Sequence, residues 1–198
     1  KHPKSLALCY SNRNVFKTGA KVYDHVAYAI GRKSPEPFGE EVAEYLFGFP
    51  VDQRKTWGMF GSCTLMARKS VFKQIGSFDE SFRRSAELDF AIRASFAGAH
   101  FIAVNKSLIN MHKTKSSDKA GNIPLLYSLK LRKKYISYLK SRNFYKSSIF
   151  IAYSNFYLNK KKRILGFIFR LLAFTFSPIL LFDFLRRNSK NLFNSKSY

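Results

Sequence analysis

The sequence is poor in cysteine: Cys9 and Cys63 stand 54 positions apart, with no CxxC pair and no Cys/His cluster. That excludes a disulfide scaffold and a structural zinc site, and leaves a reducing compartment as the default. Acidic residues are scarce as well. Twelve Asp and Glu against 35 Lys and Arg give a net charge of +23. An excess of that size implies an anionic partner, whether nucleic acid, acidic lipid or a phosphorylated substrate, without choosing among them. At Lys1-His2-Pro3-Lys4 there is no initiating Met, no apolar segment and no cleavage pattern, so no secretory signal is read and the chain is expected to start within a longer protein. There is no internal repeat with a period of roughly 20–50 residues, and no low-complexity tract.

What is present is unevenly distributed. Residues 1–118 hold 18 basic and 11 acidic residues, whereas 119–198 hold 17 basic residues and a single acid, Asp183. The first stretch mixes charge signs, glycines and short apolar runs as a globular domain does. From 125 onward there is one glycine, Gly166, and one proline, Pro178, among many Phe, Tyr, Leu and Ile. A boundary is therefore expected near 119–124, separating an α/β domain over 1–118 from a basic, aromatic-rich helical tail over 119–198.

Within the first part, residues 5–10, 59–67 and 100–104 read as strands, and 21–30 as a further possible strand in the poorly patterned stretch 14–56. Residues 69–75 read as a helix closed by Gly76. A second helix is expected from an N-cap at Ser85 through Phe96, ending at Gly98. Its Leu88, Ile92 and Phe96 recur every four residues and should share the buried face, leaving Glu87 and Asp89 off it. In the second part Leu125, Leu126, Leu129, Ile136 and Leu139 give one amphipathic helix, and 144–158 another. Residues 164–185 form a 22-residue apolar run interrupted by Arg170, Pro178 and Asp183 and flanked by Lys160-Lys161-Lys162-Arg163 and Arg186-Arg187. As a helix it would extend about 33 Å at 1.5 Å per residue. An Arg at mid-bilayer costs on the order of 2.5–3.5 kcal/mol and the proline invites a break, so an interfacial or re-entrant segment on an anionic membrane surface is expected rather than a clean span.

Chemistry-bearing residues fall in a fixed order: Trp57-Gly58-Met59-Phe60-Gly61-Ser62-Cys63, then Ile75-Gly76-Ser77-Phe78-Asp79-Glu80, then Ala86-Glu87-Leu88-Asp89-Phe90-Ala91-Ile92-Arg93, and finally His112 after a β-rich run. This order and spacing resembles the C-terminal half of a GT-A-fold (Rossmann-like) glycosyltransferase of family 2, over roughly residues 1–118. The resemblance implies a transferase that moves a sugar from a nucleotide-diphosphate sugar to a glycan or lipid-linked acceptor. It also implies Glu87 as the catalytic base with Asp89 as the second acid, and His112 as a ligand to Mg2+ or Mn2+. Acceptor or donor contacts are implied at Trp57, Gly61, Ser62, Asp79 and Arg93, with Lys113 and Lys115 beside the phosphates. Three departures stand out: Gly76-Ser77 replaces a Gly-Gly turn, Glu87 replaces the usual basic Asp, and the nucleotide-binding half with its Asp-x-Asp motif is not in the sequence.

The residue types suit the implied chemistry. Inverting transfer is a one-step displacement at the anomeric carbon, so it needs a base at the acceptor hydroxyl and charge stabilisation on the departing diphosphate. Gly61 and Ser62 would admit a sugar close to the backbone, and Trp57 offers a flat apolar platform. The basic tail places the activity at the cytoplasmic face of the cell membrane, on a lipid-linked or envelope-polysaccharide acceptor. Two other classes compete: a non-catalytic membrane-surface scaffold with a partial transferase fold, and a nucleic-acid-binding module motivated by Lys and Arg interleaved with Tyr and Phe over 127–163. With no ribonucleoprotein motif, helix-turn-helix pattern or zinc finger, no nucleic-acid partner is expected.

Overall fold

The computed structural model describes residues 6–114, 117 and 120–194, with side chains through Arg186. The chain divides into two compact units, Lys1–Leu46 with Val51–Ala120, and Phe47–Pro50 with Gly121–Tyr198.

The first unit is mixed α/β. Strand β1 (Ala7–Phe16) is central: β4 (His100–His112) runs parallel along its whole length, while β3 (Met66–Ala67) and β2 (His25–Ala27) pair antiparallel with its first and last parts. Both long strands outrun their apolar signal, continuing through Ser11-Asn12-Arg13-Asn14 on β1 and as far as His112 on β4. Side-chain amides hold this polar stretch together. Asn12 Nδ2 donates to Asn105 Oδ1 and Asn14 Nδ2 to Asn110 Oδ1, each at 3.0 Å, while Asn12 Oδ1 accepts the Ala29 amide. Hydrogen-bonded cross-strand pairs thus replace the apolar alternation that would have announced a strand. The register shifts on both sides of Asn12, so the ladder bulges there, a feature that re-aims the neighbouring side chains.

Helices α1 (Glu40–Phe47), α2 (Lys69–Ile75) and α3 (Ala86–Phe96) lie between β2 and β4 in the chain. The core gathers Leu8 and Tyr10 of β1, Ala29, Ile30, Phe90, Ala91 and Phe101. Three expectations need correction. Residues 59–67 are not a strand: Thr64 Oγ1 donates to Gly61 O and curls the chain into a 3₁₀ turn, Ser62–Thr64, leaving only two residues to pair as β3. Ser85 stands at the N-cap of α3, but with φ 65 and without a side-chain cap bond; its carbonyl alone accepts from Leu88 and Asp89. The buried face of α3 is also wider than the four-residue stripe. Phe96 is exposed, while Asp89 is fully buried with Phe90, Ala91, Ile92 and Ala94, because Arg93 neutralises it within the helix.

The second unit is helical: α4 (Ile123–Lys134), α5 (Ile136–Ser141), α6 (Tyr145–Asn159), α7 (Arg163–Phe176) and α8 (Pro178–Asn194). The single helix expected over 125–139 breaks at Tyr135, and the 164–185 run breaks at Ser177-Pro178. Phe49 of the 47–50 segment stacks on Phe144 at 3.6 Å. Helices α6 and α7 approach closely: Ser154 Oγ donates to Gly166 O at 2.7 Å, and a Cβ on Gly166 would stand 2.6 Å from the Leu158 side chain. Beside this contact Phe169 stacks on Tyr153 at 5.0 Å and on Tyr157 at 5.4 Å. Arg132 ties α4 to α6, its Nε donating to Ser148 O and its Nη1 to Ser128 O and Oγ. Among the described residues no single helix is long and apolar enough to cross a membrane. Together α7 and α8 through Arg186 are, but they are bent by 119° at the break.

Candidate active site

The start of α3 brings Glu87 to the middle of β1. Its negative charge acts on the Tyr10 phenol, which burial first and then Glu87 hold well above the usual tyrosine range. Tyr10 is therefore held as a neutral hydroxyl. Its ring packs edge-on against Phe60 at 6.0 Å, next to the turn that begins at Gly61. Glu87 is half-buried in the first turn of the helix, where the dipole favours a carboxylate. Ser85, immediately before that turn, occupies the left-handed region, a conformation that costs a non-glycine residue about 1 kcal/mol or more and that clusters at functional sites.

Asp89, two residues on, is differently placed. It has no exposed surface, and Arg93 Nε donates to its Oδ2 at 3.0 Å. The rest of that guanidinium reaches the turn before α3: Nη1 donates to Ile75 O at 2.5 Å and Nη2 to Ser77 O at 2.6 Å. The Asp89–Arg93 pair thus anchors α3 to the 75–77 segment, and Arg93 points into that anchor. Asp79 closes the same loop, its Oδ1 accepting the Ser81 amide at 3.0 Å.

Gly61 is buried at the entry to the 3₁₀ turn, and a Cβ there would lie 2.8 Å from Arg13 Nη1. Ser62 is exposed beside it. Arg13, which the sequence gave no reason to single out, donates from Nη1 to Cys63 Sγ at 3.1 Å, and its buried Nε has no hydrogen-bond partner among the described residues. Tyr10 and Arg13 are the two site residues that sequence reasoning missed. Tyr10 lay on the readable part of β1 with no motif to single it out, and Arg13 on the part that could not be read.

Trp57 stacks on Tyr45 at 4.6 Å, and its Nε1 donates to Asp52 O at 2.7 Å. It also borders a pocket of about 510 Å³ in the first unit, lined with polar and basic residues that include Arg32, Lys33, Gln53 and Asn105. Arg32 Nη1 is held there by Ala29 O and Trp57 O.

His112 ends β4 opposite Phe16, on which it stacks at 4.6 Å. That is six positions along β1 from Tyr10, roughly 20 Å at about 3.3 Å per residue, so His112 and Glu87 do not form one cluster. Lys113 is 3.7 Å from Asp24, which Lys17 and His25 also contact. Lys115 lies outside the described residues. Among the described residues no three His, Cys, Asp or Glu side chains come together as a metal-binding group. Mg2+ and Mn2+ take oxygen-rich shells, so His112 would be one ligand of a shell whose carboxylates the resemblance puts in the half that the sequence does not contain.

Comparison with known proteins adds no relative: no protein family, no curated protein and no solved structure matches the chain.

Proposed function

We propose that the first unit is the acceptor-side half of a family 2 type GT-A glycosyltransferase, which moves a sugar from a nucleotide-diphosphate donor to a glycan or lipid-linked acceptor with inversion. In this reading the activity sits at an anionic membrane surface, the cytoplasmic face of the cell membrane. The observation that carries it is the contrast between the two acids of α3. Glu87 is accessible at the helix start, whereas Asp89 is fully buried and held by Arg93. Only Glu87 can meet an acceptor hydroxyl, take its proton as the oxygen attacks the anomeric carbon, and carry that proton while the donor's diphosphate departs. The motif order over residues 57–93 supports the same assignment.

The neighbours have supporting tasks. Tyr10, buried on β1, keeps a neutral hydroxyl within electrostatic reach of the base. At the Gly61 turn the missing side chain makes room for the Arg13 guanidinium, and the exposed Ser62 beside it is the group open to a sugar. Asp89 and Arg93 hold the helix start in register, a positioning role on which the geometry of proton transfer depends.

In the full-length gene product, tested against a panel of uridine and guanosine diphosphate sugars, Glu87→Gln should lower kcat by at least ~10²-fold with donor Kd unchanged, since general-base catalysis contributes roughly 10²–10⁴. A folded Asp89→Asn variant without turnover, beside an active Glu87→Gln, would exchange the two roles and overturn the assignment.

A further inference from the structure

We propose that the cleft between α4 and α6 in the second unit is a specific binding site for an anionic phospholipid. The cleft encloses about 680 Å³, within the range of small-molecule sites. Its apolar wall comes from Leu126 and Leu129 on α4, from Ile149, Phe150 and Tyr153 on α6, and from Phe176 at the end of α7. On each helix these residues recur at three- and four-residue intervals, so two facing stripes line a trough. Lys130, Lys133 and Lys146 also border it. Lys146 lies over the Phe176 ring at 5.0 Å and Lys130 over Tyr127 at 5.8 Å, contacts that attach the ammonium groups to the aromatic walls.

The charge here is unbalanced. No carboxylate lines the cleft, and the 119–198 stretch contains one acid, Asp183, against 17 basic residues. Arg132, in the same α4, is 4% exposed and donates only to neutral serine oxygens, with no carboxylate partner among the described residues. An apolar trough edged by three ammonium groups matches a ligand with a chain at one end and a phosphate at the other. A wholly apolar ligand would make no use of the three lysines, and a free phosphate would leave the trough unfilled.

A membrane source follows from continuity. Phe176, which closes the trough, ends a helix whose Ile164, Phe167, Ile168 and Leu171 are all exposed. Through Phe176 the trough is thus continuous with a helix whose exposed apolar residues suit a membrane surface. The membrane source of the ligand rests on the membrane part of the function proposed above; the trough itself rests on neither that nor the sugar chemistry.

The test uses the full chain and titration calorimetry below the micelle concentration. Dihexanoyl phosphatidic acid should bind one to one, at least ~10-fold more tightly than either dihexanoyl phosphatidylcholine or inorganic phosphate. Lys130→Gln/Lys133→Gln/Lys146→Gln should weaken it at least ~10-fold. Leu129→Trp, which fills the trough and spares the lysines, should weaken it similarly. Equal binding of phosphatidylcholine would reduce the trough to an apolar groove, and equal binding of phosphate would reduce it to surface charge; either result overturns the site. Flotation with phosphatidylglycerol vesicles separates the two proposals: the triple Gln variant should still float through α7. One-to-one binding without flotation would sink the membrane reading and leave the site standing.

Discussion

The two units treat their apolar residues in opposite ways. In the first, Leu8, Ala29, Ile30, Phe90 and Phe101 have no exposed surface, and charges are largely spent on one another: Asp89 on Arg93, Asp52 on Arg54, Asp24 on Lys17. In the second, Ile164 is 78% and Phe182 72% exposed, and basic residues stand with almost no acids to meet them. A unit that closes its core and pairs its charges is finished as a folding problem, so what it leaves accessible, such as Glu87, has to be explained by function. A unit that leaves a Phe-rich face and a cationic cleft open suits, on the proposal above, a partner that supplies apolar surface and negative charge together.

The sharpest way to break that comparison is to unpair the buried charge in the first unit. Asp89→Ala leaves Arg93 with no anionic partner, and removing one member of a buried pair costs about 3–5 kcal/mol. Trp57, the single tryptophan, reports on this unit, while helicity reports mainly on the second. Urea unfolding should show the fluorescence transition moving to lower denaturant while the helical transition stays in place. If both move together, the two regions form one cooperative unit and the contrast has no thermodynamic content.

A smaller effect divides the phenylalanines of α7. Phe169 stacks on two tyrosines of α6, so Phe169→Ala should cost about 2–3 kcal/mol, whereas Phe167, 55% exposed, should cost less than about 0.5 kcal/mol on truncation. The order inverts on membranes. Replacing Ile164, Phe167 and Leu171 with Ser should abolish the salt-resistant fraction bound to anionic vesicles, leaving a purely electrostatic fraction that falls as salt rises. Tight single-stranded RNA binding that survives the same substitutions, alongside weak lipid binding, would transfer the basic face to a nucleic-acid partner.

The phenylalanines also show what the sequence made legible. A 22-residue apolar run announces an apolar segment, but its periodicity does not say which face packs inward: Gly166, Ala173 and Phe174 are buried while Ile164, Phe167 and Leu171 face out. The break at Pro178 was legible because proline removes a backbone donor; the 119° bend was not, since it depends on tertiary packing. In the first unit α2 and α3 were readable from their glycine stops. The far half of β1 was hidden because Asn12 and Asn14 satisfy themselves against Asn105 and Asn110, ninety residues away in the chain. That hidden half carries Arg13. Tyr10 lay within the readable part of β1, but nothing in the sequence related it to Glu87, which is about eighty residues away in the chain and comes within electrostatic reach only in the fold.

The smallest expected effect compares the units by acid titration. Asp24 accepts from Lys17 at 2.6 Å and from His25 at 3.0 Å, and these bonds lower its carboxyl to about 2. Asp52 is lowered to about 2 by Arg54. A carboxyl that is more acidic folded than unfolded binds fewer protons in the native state. Its stabilisation is complete above the ordinary carboxylate value near 4 and is lost as pH falls through about 2. In the second unit Arg132 is shifted the other way for a base, down to about 10 by burial alone. Its protonated form disfavours folding until pH rises through about 10, so it is silent in acid. Between pH 4 and pH 2 the fluorescence-reported unit should therefore lose stability while the helical unit does not, and Asp24→Asn should flatten part of that slope. Both carboxylates are exposed, so the slope should be shallow and weaken further with salt. A carbon-13 titration that puts the Asp24 midpoint near 4 would mean that the Lys17 and His25 contacts are not populated in solution, and the first unit would lose its claim to spend its charges internally at the β1–β2 end.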